Sequence, residues 1–190
     1  MPSIDIHMAI ARNYLKKYDG IGDHLKFIKG SIAPDLASDT ISSHYGKGMD
    51  DKDLALFLKN KIGLKEYLAT NTIDNDYERG YFLHLLTDYM FFNYFFDKEY
   101  ISKRTHKDFK KDLYYSYNTI HDYLASNYDI SYEPFSDEVE KKISNSQVEI
   151  EYNGEKRINI TPCDKIDKFI NNILDKDIND YYEYFKDLFK

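Results

Sequence analysis

The chain has 190 residues, 42% of them apolar and 31% charged, with a formal net charge of −7. A chain of this length buries roughly 70% of its unfolded surface, and 19 Tyr with 12 Phe exclude a disordered polyampholyte. The acidic balance argues against a nucleic-acid backbone as partner, because a phosphate polymer selects basic surfaces.

In chain order, a first helix is expected over residues 3–18. Ser3 is its N-cap, and Ile4, Met8, Ala11, Leu15 and Tyr18 form its apolar stripe. His7 lies beside that stripe with Ile10 and Tyr14. Gly20 and Gly22 end the helix, a short segment 23–29 follows, and "IKGSIAPDLASDTISSHYG" (residues 28–46) reads as a loop. Residues 50–69 are again helical, with Gly63 as a kink or break. "TNTIDND" is a loop, and residues 76–97 form the longest apolar helix. That helix contains "YFLHLLTDYMFFNYFF", the richest apolar run, but His84 and Asp88 within it would be costly in lipid, so a buried core helix is expected rather than a membrane span.

A further helix spans 104–127, with Phe109, Leu113, Tyr117, Ile120 and Leu124 on one face. A short amphipathic segment runs from Glu133-Pro134 to Lys142. "QVEIEYNGEKRINI" then alternates with period 2 around Asn153-Gly154, which predicts a β-hairpin near 147–160. Two helices follow Pro162, at about 163–174 and 176–188. The expected fold is all-α with this one hairpin. It forms a single domain over 1–190, in which 131–190 packs on a metal-binding helical core at 1–130. The N-terminus lacks a basic region followed by an apolar run, so no secretory signal is expected. With Cys163 as the sole cysteine, a cytoplasmic location follows as an expectation.

The chemistry begins with His84 and Asp88. Spaced i, i+4 on an apolar helix, they share a face, and burying both is costly unless each finds a partner. His7 sits at the edge of another apolar face. Asp35 follows Pro34, and His44 comes nine residues later, among small residues that let the backbone approach a packed surface. Singly, each has an ordinary structural reading as a core histidine or a turn aspartate. Together, three His and two Asp form a nitrogen and oxygen donor set suited to zinc or a similar divalent ion, and helical bundles build such sites from inward-facing side chains.

"IDIHMAIARNYL", "FIKGSIAPDLASDTISSHYG" and "ERGYFLHLLTDYMF", in this order, resemble the zinc-dependent phospholipase C family over roughly residues 4–100. The family includes secreted phosphatidylcholine-hydrolysing enzymes and the clostridial alpha-toxin catalytic domain, and fungal single-strand nucleases share its helical scaffold. The resemblance implies that Asp35, His44, His84 and Asp88 hold one zinc. It implies that His7 helps to bind another, with Asp88 as the bridging carboxylate, and that Asp35 is the general base. The chain departs from the pattern at the second metal. It has no Trp to serve as a terminal ligand, Tyr94 stands where the family has a His, and His121 is followed by Asp122 and then by Ala125 at i+4. His106 is no nearer the pattern. One well-formed zinc site is therefore expected, the second weak or absent.

The expected function is a metal-dependent hydrolase cleaving a phosphoester, small or phospholipid-like, with Asp35 as its catalytic residue. The alternative is a non-catalytic helical scaffold with a structural metal. A metal-free interaction domain with buried His–Asp pairs is the third reading. His121-Asp122 carries no weight, because six His and 33 acidic residues in 190 positions produce about one such step by chance. His24 and His106 read as surface residues, and Tyr14, Tyr45 and Tyr81 are candidates to line a pocket or orient a ligand. Cys163 reads as structural. The oligomeric state is not read from the sequence.

Overall fold

The computed structural model describes residues 3–47, 53–146 and 157–190, and among these every regular element is a helix. The first, α1 (Ile4–Lys17), has Asp5 in its first turn and Lys16 and Lys17 in its last, complementing the helix dipole. Ser3 occupies the N-cap, but its side chain makes no capping hydrogen bond. The buried face is wider than the expected stripe. It centres on Ile6, Ile10 and Tyr14 and includes His7, whereas Leu15 and Tyr18 pack only at its margin.

The next helix, α2 (His24–Leu36), starts at Asp23, whose carboxylate accepts from the Lys26 N–H at 3.0 Å. It corrects the expected loop at 28–46, because the helix continues through Pro34 almost to Ala37. Proline removes one backbone bond and crowds the preceding turn, so local preference predicts a break. Packing overrides that preference. α2 lies against α6 (Asp76–Met90) more closely than any other pair of helices. At their crossing, a Cβ on Gly30 would stand 2.0 Å from the Tyr77 carbonyl oxygen. One on Gly80 would stand 2.0 Å from the Phe27 carbonyl oxygen. The two backbones touch because neither glycine has a side chain.

A single-turn helix, α3 (Thr40–Ser43), follows, capped by Asp39, which accepts from the N–H groups of Ile41 and Ser42. The single helix expected at 50–69 is two, α4 (Leu54–Asn60) and α5 (Leu64–Thr70), broken at Gly63. The apolar helix expected at 76–97 is α6 as far as Met90. It then widens into a π-helical turn, Phe91–Phe95. The wider turn holds more side chains per turn, so Phe91, Phe92 and Phe95 are all buried.

After a short α7 (Lys98–Ser102), the longest helix is α8 (His106–Asn127). It buries the expected Phe109, Leu113, Ile120 and Leu124, with Tyr117 half-buried. α9 (Ser136–Ser146), α10 (Cys163–Ile173) and α11 (Ile178–Leu188) complete the fold. α10 docks on α1 and α11 on α5 and α6, and the segment joining them is tied to α1, where the Tyr14 hydroxyl donates to Asp177 at 2.6 Å and Lys17 Nζ donates to the Leu174 carbonyl at 2.6 Å. Most of the hairpin expected near 147–160 lies outside the described residues. Its described end, 157–160, forms no strand, and there is no strand elsewhere among the described residues. Among them, too, no helix is long and apolar enough to cross a membrane.

Candidate metal centre

Four elements bring the five predicted side chains to one point. His7 comes from the second turn of α1, Asp35 from the last turn of α2, His44 from the residue after α3, and His84 with Asp88 from α6. All five are buried, with relative exposures of 2% for His7, 7% for Asp35, 2% for His44 and 0% for His84 and Asp88. His7 thus lies in the middle of a buried face, not at its edge.

The three imidazoles present their Nε2 atoms to the two carboxylates. His7 Nε2 is 3.1 Å from Asp88 Oδ1 and 3.9 Å from Asp35 Oδ2. His44 Nε2 is 3.2 Å from Asp88 Oδ2 and 3.5 Å from Asp35 Oδ1. His84 Nε2 is 3.7 Å from Asp88 Oδ2 and 3.9 Å from Asp35 Oδ1. The two Asp88 oxygens therefore face different histidines. The His7 and His84 rings stack at 3.8 Å between centroids.

The other ring nitrogens fix the tautomers. His84 Nδ1 lies 2.8 Å from the Ser31 carbonyl, and His44 Nδ1 lies 2.7 Å from the Thr40 carbonyl. A carbonyl only accepts, so each Nδ1 donates, and Nε2 is left as the lone-pair nitrogen of the neutral ring. His44 Nε2 and His84 Nε2 nevertheless stand 3.0 Å apart. Two lone pairs at that distance repel unless a proton or a cation lies between them.

The segment that carries His44 is itself held. Ser43 Oγ donates to the Pro34 carbonyl at 2.8 Å, and the Tyr81 hydroxyl donates to the Ser43 carbonyl at 2.5 Å. Gly63 N–H donates to the His44 carbonyl at 2.9 Å, and a Cβ on Gly63 would stand 2.0 Å from the Tyr45 carbonyl oxygen. Tyr45, beside His44, has φ 54°, a left-handed conformation that a non-glycine residue adopts at some cost. This strap between residues 44–47 and 60–63 sets where His44 points.

The protonation pattern follows from burial and charge. Burial, reinforced by His7, pushes the His84 imidazolium down to about 3, so this ring is neutral. Burial also opposes the charge on His44, but Asp35 and Asp88 outweigh it and raise its pKa to about 9. Burial disfavours both carboxylates. Even so, His84 and the other imidazoles hold Asp35 below the usual range and Asp88 well below it.

A divalent metal fits this donor set. His7 Nε2, Asp35 Oδ1 and both Asp88 oxygens are buried without a hydrogen bond of adequate geometry, which is costly unless something else satisfies them. His7, Asp35 and His84 form one group with donor atoms within 4.8 Å of one another. His44, His84 and Asp88 form a second, overlapping group. Tetrahedral zinc with bonds of 2.0–2.1 Å separates its ligands by about 3.3 Å, within the range of the distances above. Donation from a ligating imidazole's second nitrogen to a carbonyl is the usual outer support of such sites.

No family model, curated protein or solved structure matches the chain.

The remaining candidates lie elsewhere. Tyr94 is exposed. His106 is half-buried rather than at the surface, its ring 4.4 Å from that of Phe57. His121 Nδ1 is 2.9 Å from Asp5 Oδ2, and Asp5 also accepts from the Tyr132 hydroxyl. His24 is exposed, as expected, and Cys163 is half-buried at the start of α10. Of the three candidate tyrosines, Tyr81 supports the site. Tyr14 binds Asp177, and Tyr45 accepts from Asn71 at 3.1 Å. Sequence reasoning did not single out Ser31, Thr40 and Ser43, which act largely through carbonyl groups that every residue carries.

Proposed function

We propose that the chain is a zinc-dependent hydrolase of a phosphoester, a phospholipase C-like phosphodiesterase, with the metal held by His7, Asp35, His44, His84 and Asp88. The observation that carries this reading is the convergence of three imidazole nitrogens on two buried carboxylates, of which Asp35 Oδ1 and both Asp88 oxygens lack hydrogen bonds. The nitrogen and oxygen donors suit zinc. The resemblance of three segments to the phospholipase C family supplies the substrate class. When bound, zinc supplies a lowered water pKa and polarisation of a phosphoryl oxygen.

The chain's own groups divide the remaining work. Ser31 and Thr40 hold His84 and His44 in the ligating tautomer. Asp88, fully buried, contributes fixed negative charge. Asp35 is the carboxylate that reaches solvent, its side chain 10% exposed against 0% for Asp88. It is placed to take a proton from water as general base.

Elemental analysis of the wild type, Asp35→Ala and His84→Ala tests the metal. Near-stoichiometric zinc in the wild type, lost in both variants, is expected. Wild-type protein purified without chelator that neither carries nor takes up metal refutes the reading. The burial of all five ligands favours a second reading, a closed structural site without an open position. Hydrolysis of a chromogenic phosphodiester by the zinc-loaded wild type, lost in Asp35→Asn, distinguishes the enzyme from the scaffold.

A further inference from the structure

A cleft of about 220 Å³ opens beside the strap that positions His44, and none of the five metal ligands lines it. Its apolar lining is aromatic. Tyr45 comes from the strap, Tyr89 from α6 and Phe189 from the residue after α11. The Tyr89 and Phe189 rings stand nearly perpendicular, 5.9 Å between centroids, a corner that leaves a face and an edge for a third ring. Two uncommon backbone conformations border the cleft. Tyr45 is left-handed at φ 54°, and Asn93 belongs to the π-helical turn. Both forms recur where a chain is shaped around a ligand.

The charged lining is one-sided. The exposed Lys47, Lys59 and Lys65 share the cleft with a single carboxylate, Glu66. Glu66 pairs with Lys47 at 3.1 Å. Among the described residues, no carboxylate lies within ion-pair distance of Lys59 or Lys65. Three ammonium groups and one carboxylate leave two positive charges in surplus, in a chain whose formal net charge is −7. Cations gathered in a concave site draw anions to it. Lys61 of the same strap lies elsewhere, its amine over the rings of Phe92 and Phe57 at 4.6 Å and 5.6 Å from their centroids.

We propose that this cleft binds a small aromatic anion. Its ring packs against Tyr45, Tyr89 and Phe189, and its anionic group is held by Lys59 and Lys65. The volume is below the roughly 300 Å³ at which drug-sized ligands begin to fit, so the ligand is a single-ring molecule. The site is separate from the metal centre and does not depend on the hydrolase reading.

The test uses zinc-loaded wild type and the double variant Lys59→Gln/Lys65→Gln, each with its zinc content measured. Both lysines are exposed, so the substitutions remove charge without disturbing the core. The probe is phenylphosphonate, which carries no ester bond to hydrolyse. Calorimetric titration is expected to show saturable binding to the wild type, weakened about tenfold or more in the double variant, with zinc unchanged. Inorganic phosphate lacks the ring and benzyl alcohol lacks the charge, so each should bind the wild type at least about tenfold more weakly than phenylphosphonate. Equal phenylphosphonate affinity in the two proteins overturns the inference and places the anion at the metal centre. Phosphate or benzyl alcohol binding as tightly as phenylphosphonate also overturns it, as does no binding of phenylphosphonate up to about 10 mM. Wild type that holds no zinc but binds phenylphosphonate through the two lysines refutes the hydrolase reading alone.

Discussion

Gly80→Ala sets two effects of opposite sign against each other. Alanine in a helix interior is favoured over glycine by about 1 kcal/mol, so α6 by itself would gain stability. At the crossing with α2, however, the added Cβ stands 2.0 Å from the Phe27 carbonyl oxygen and 2.9 Å from the Ser31 nitrogen. Ordinary contact begins at 3.4 Å, so the backbones must separate by about 1.4 Å. The obstacle is backbone, which cannot rotate away. Overpacking of this kind costs about 3 kcal/mol, leaving a net loss of about 2 kcal/mol and a melting midpoint lower by about 4–8 °C. The metal centre suffers more. α2 carries Asp35 and the Ser31 carbonyl that orients His84, and α6 carries His84 and Asp88. Metal sites tolerate errors of only about 0.2 Å in ligand distance. Thermal melting with zinc stoichiometry on the same preparation is the assay, and loss of both is expected. A Gly80→Ala protein that melts at or above the wild-type midpoint with full zinc would refute the packing argument.

Metal-free protein should lose stability as pH rises. The His44 pKa is raised above its ordinary 6.5 to about 9. Its contribution is therefore complete below 6.5 and lost as pH climbs through 9, as read from melts in chelator. Zinc binding runs the other way. It must displace that proton, so affinity should rise about tenfold per pH unit between pH 6 and 8, and a pH-independent affinity by calorimetry would contradict the assignment. Tyr81→Phe removes the hydrogen bond to the Ser43 carbonyl. Zinc affinity should fall about tenfold with little change in helix content by circular dichroism.

How far the site was legible in the sequence depended on whether its cause was local. His84 and Asp88 stand four apart in an apolar helix, and that spacing alone demands a partner for each. Asp35 and His44 were legible from the company of Pro34 and small residues. Their setting was misread, because a helix through Pro34 depends on Gly30 meeting Gly80, fifty residues away. The single helix at 50–69 failed for a similar reason. Gly63 breaks it in order to lie against Tyr45, and no local pattern records that contact. The π-helical turn after Met90 arises from the packing of several phenylalanines, not from their period. Lys61 was invisible. In "LKNKIG" nothing separates it from Lys59, and only the rings of Phe92 and Phe57 beneath its amine mark it out.

Two carboxylates buried together need positive charge nearby. Without metal, His44 and Lys61 supply it, the first by keeping a proton and the second by position. A divalent ion replaces that supply, displacing the His44 proton and leaving the Lys61 charge surplus beside the centre. Removing Lys61 therefore has opposite consequences in the two states. Lys61→Met should destabilise metal-free protein, which loses a counter-charge, and should tighten zinc binding, because one repulsive charge is gone. Melts of wild type and variant in chelator and in saturating zinc measure both. The deficit of Lys61→Met should be larger in chelator than in zinc. An equal deficit in the two conditions would show that Lys61 acts through its contact with Phe57 and Phe92 alone, and that its charge is not coupled to Asp35 and Asp88.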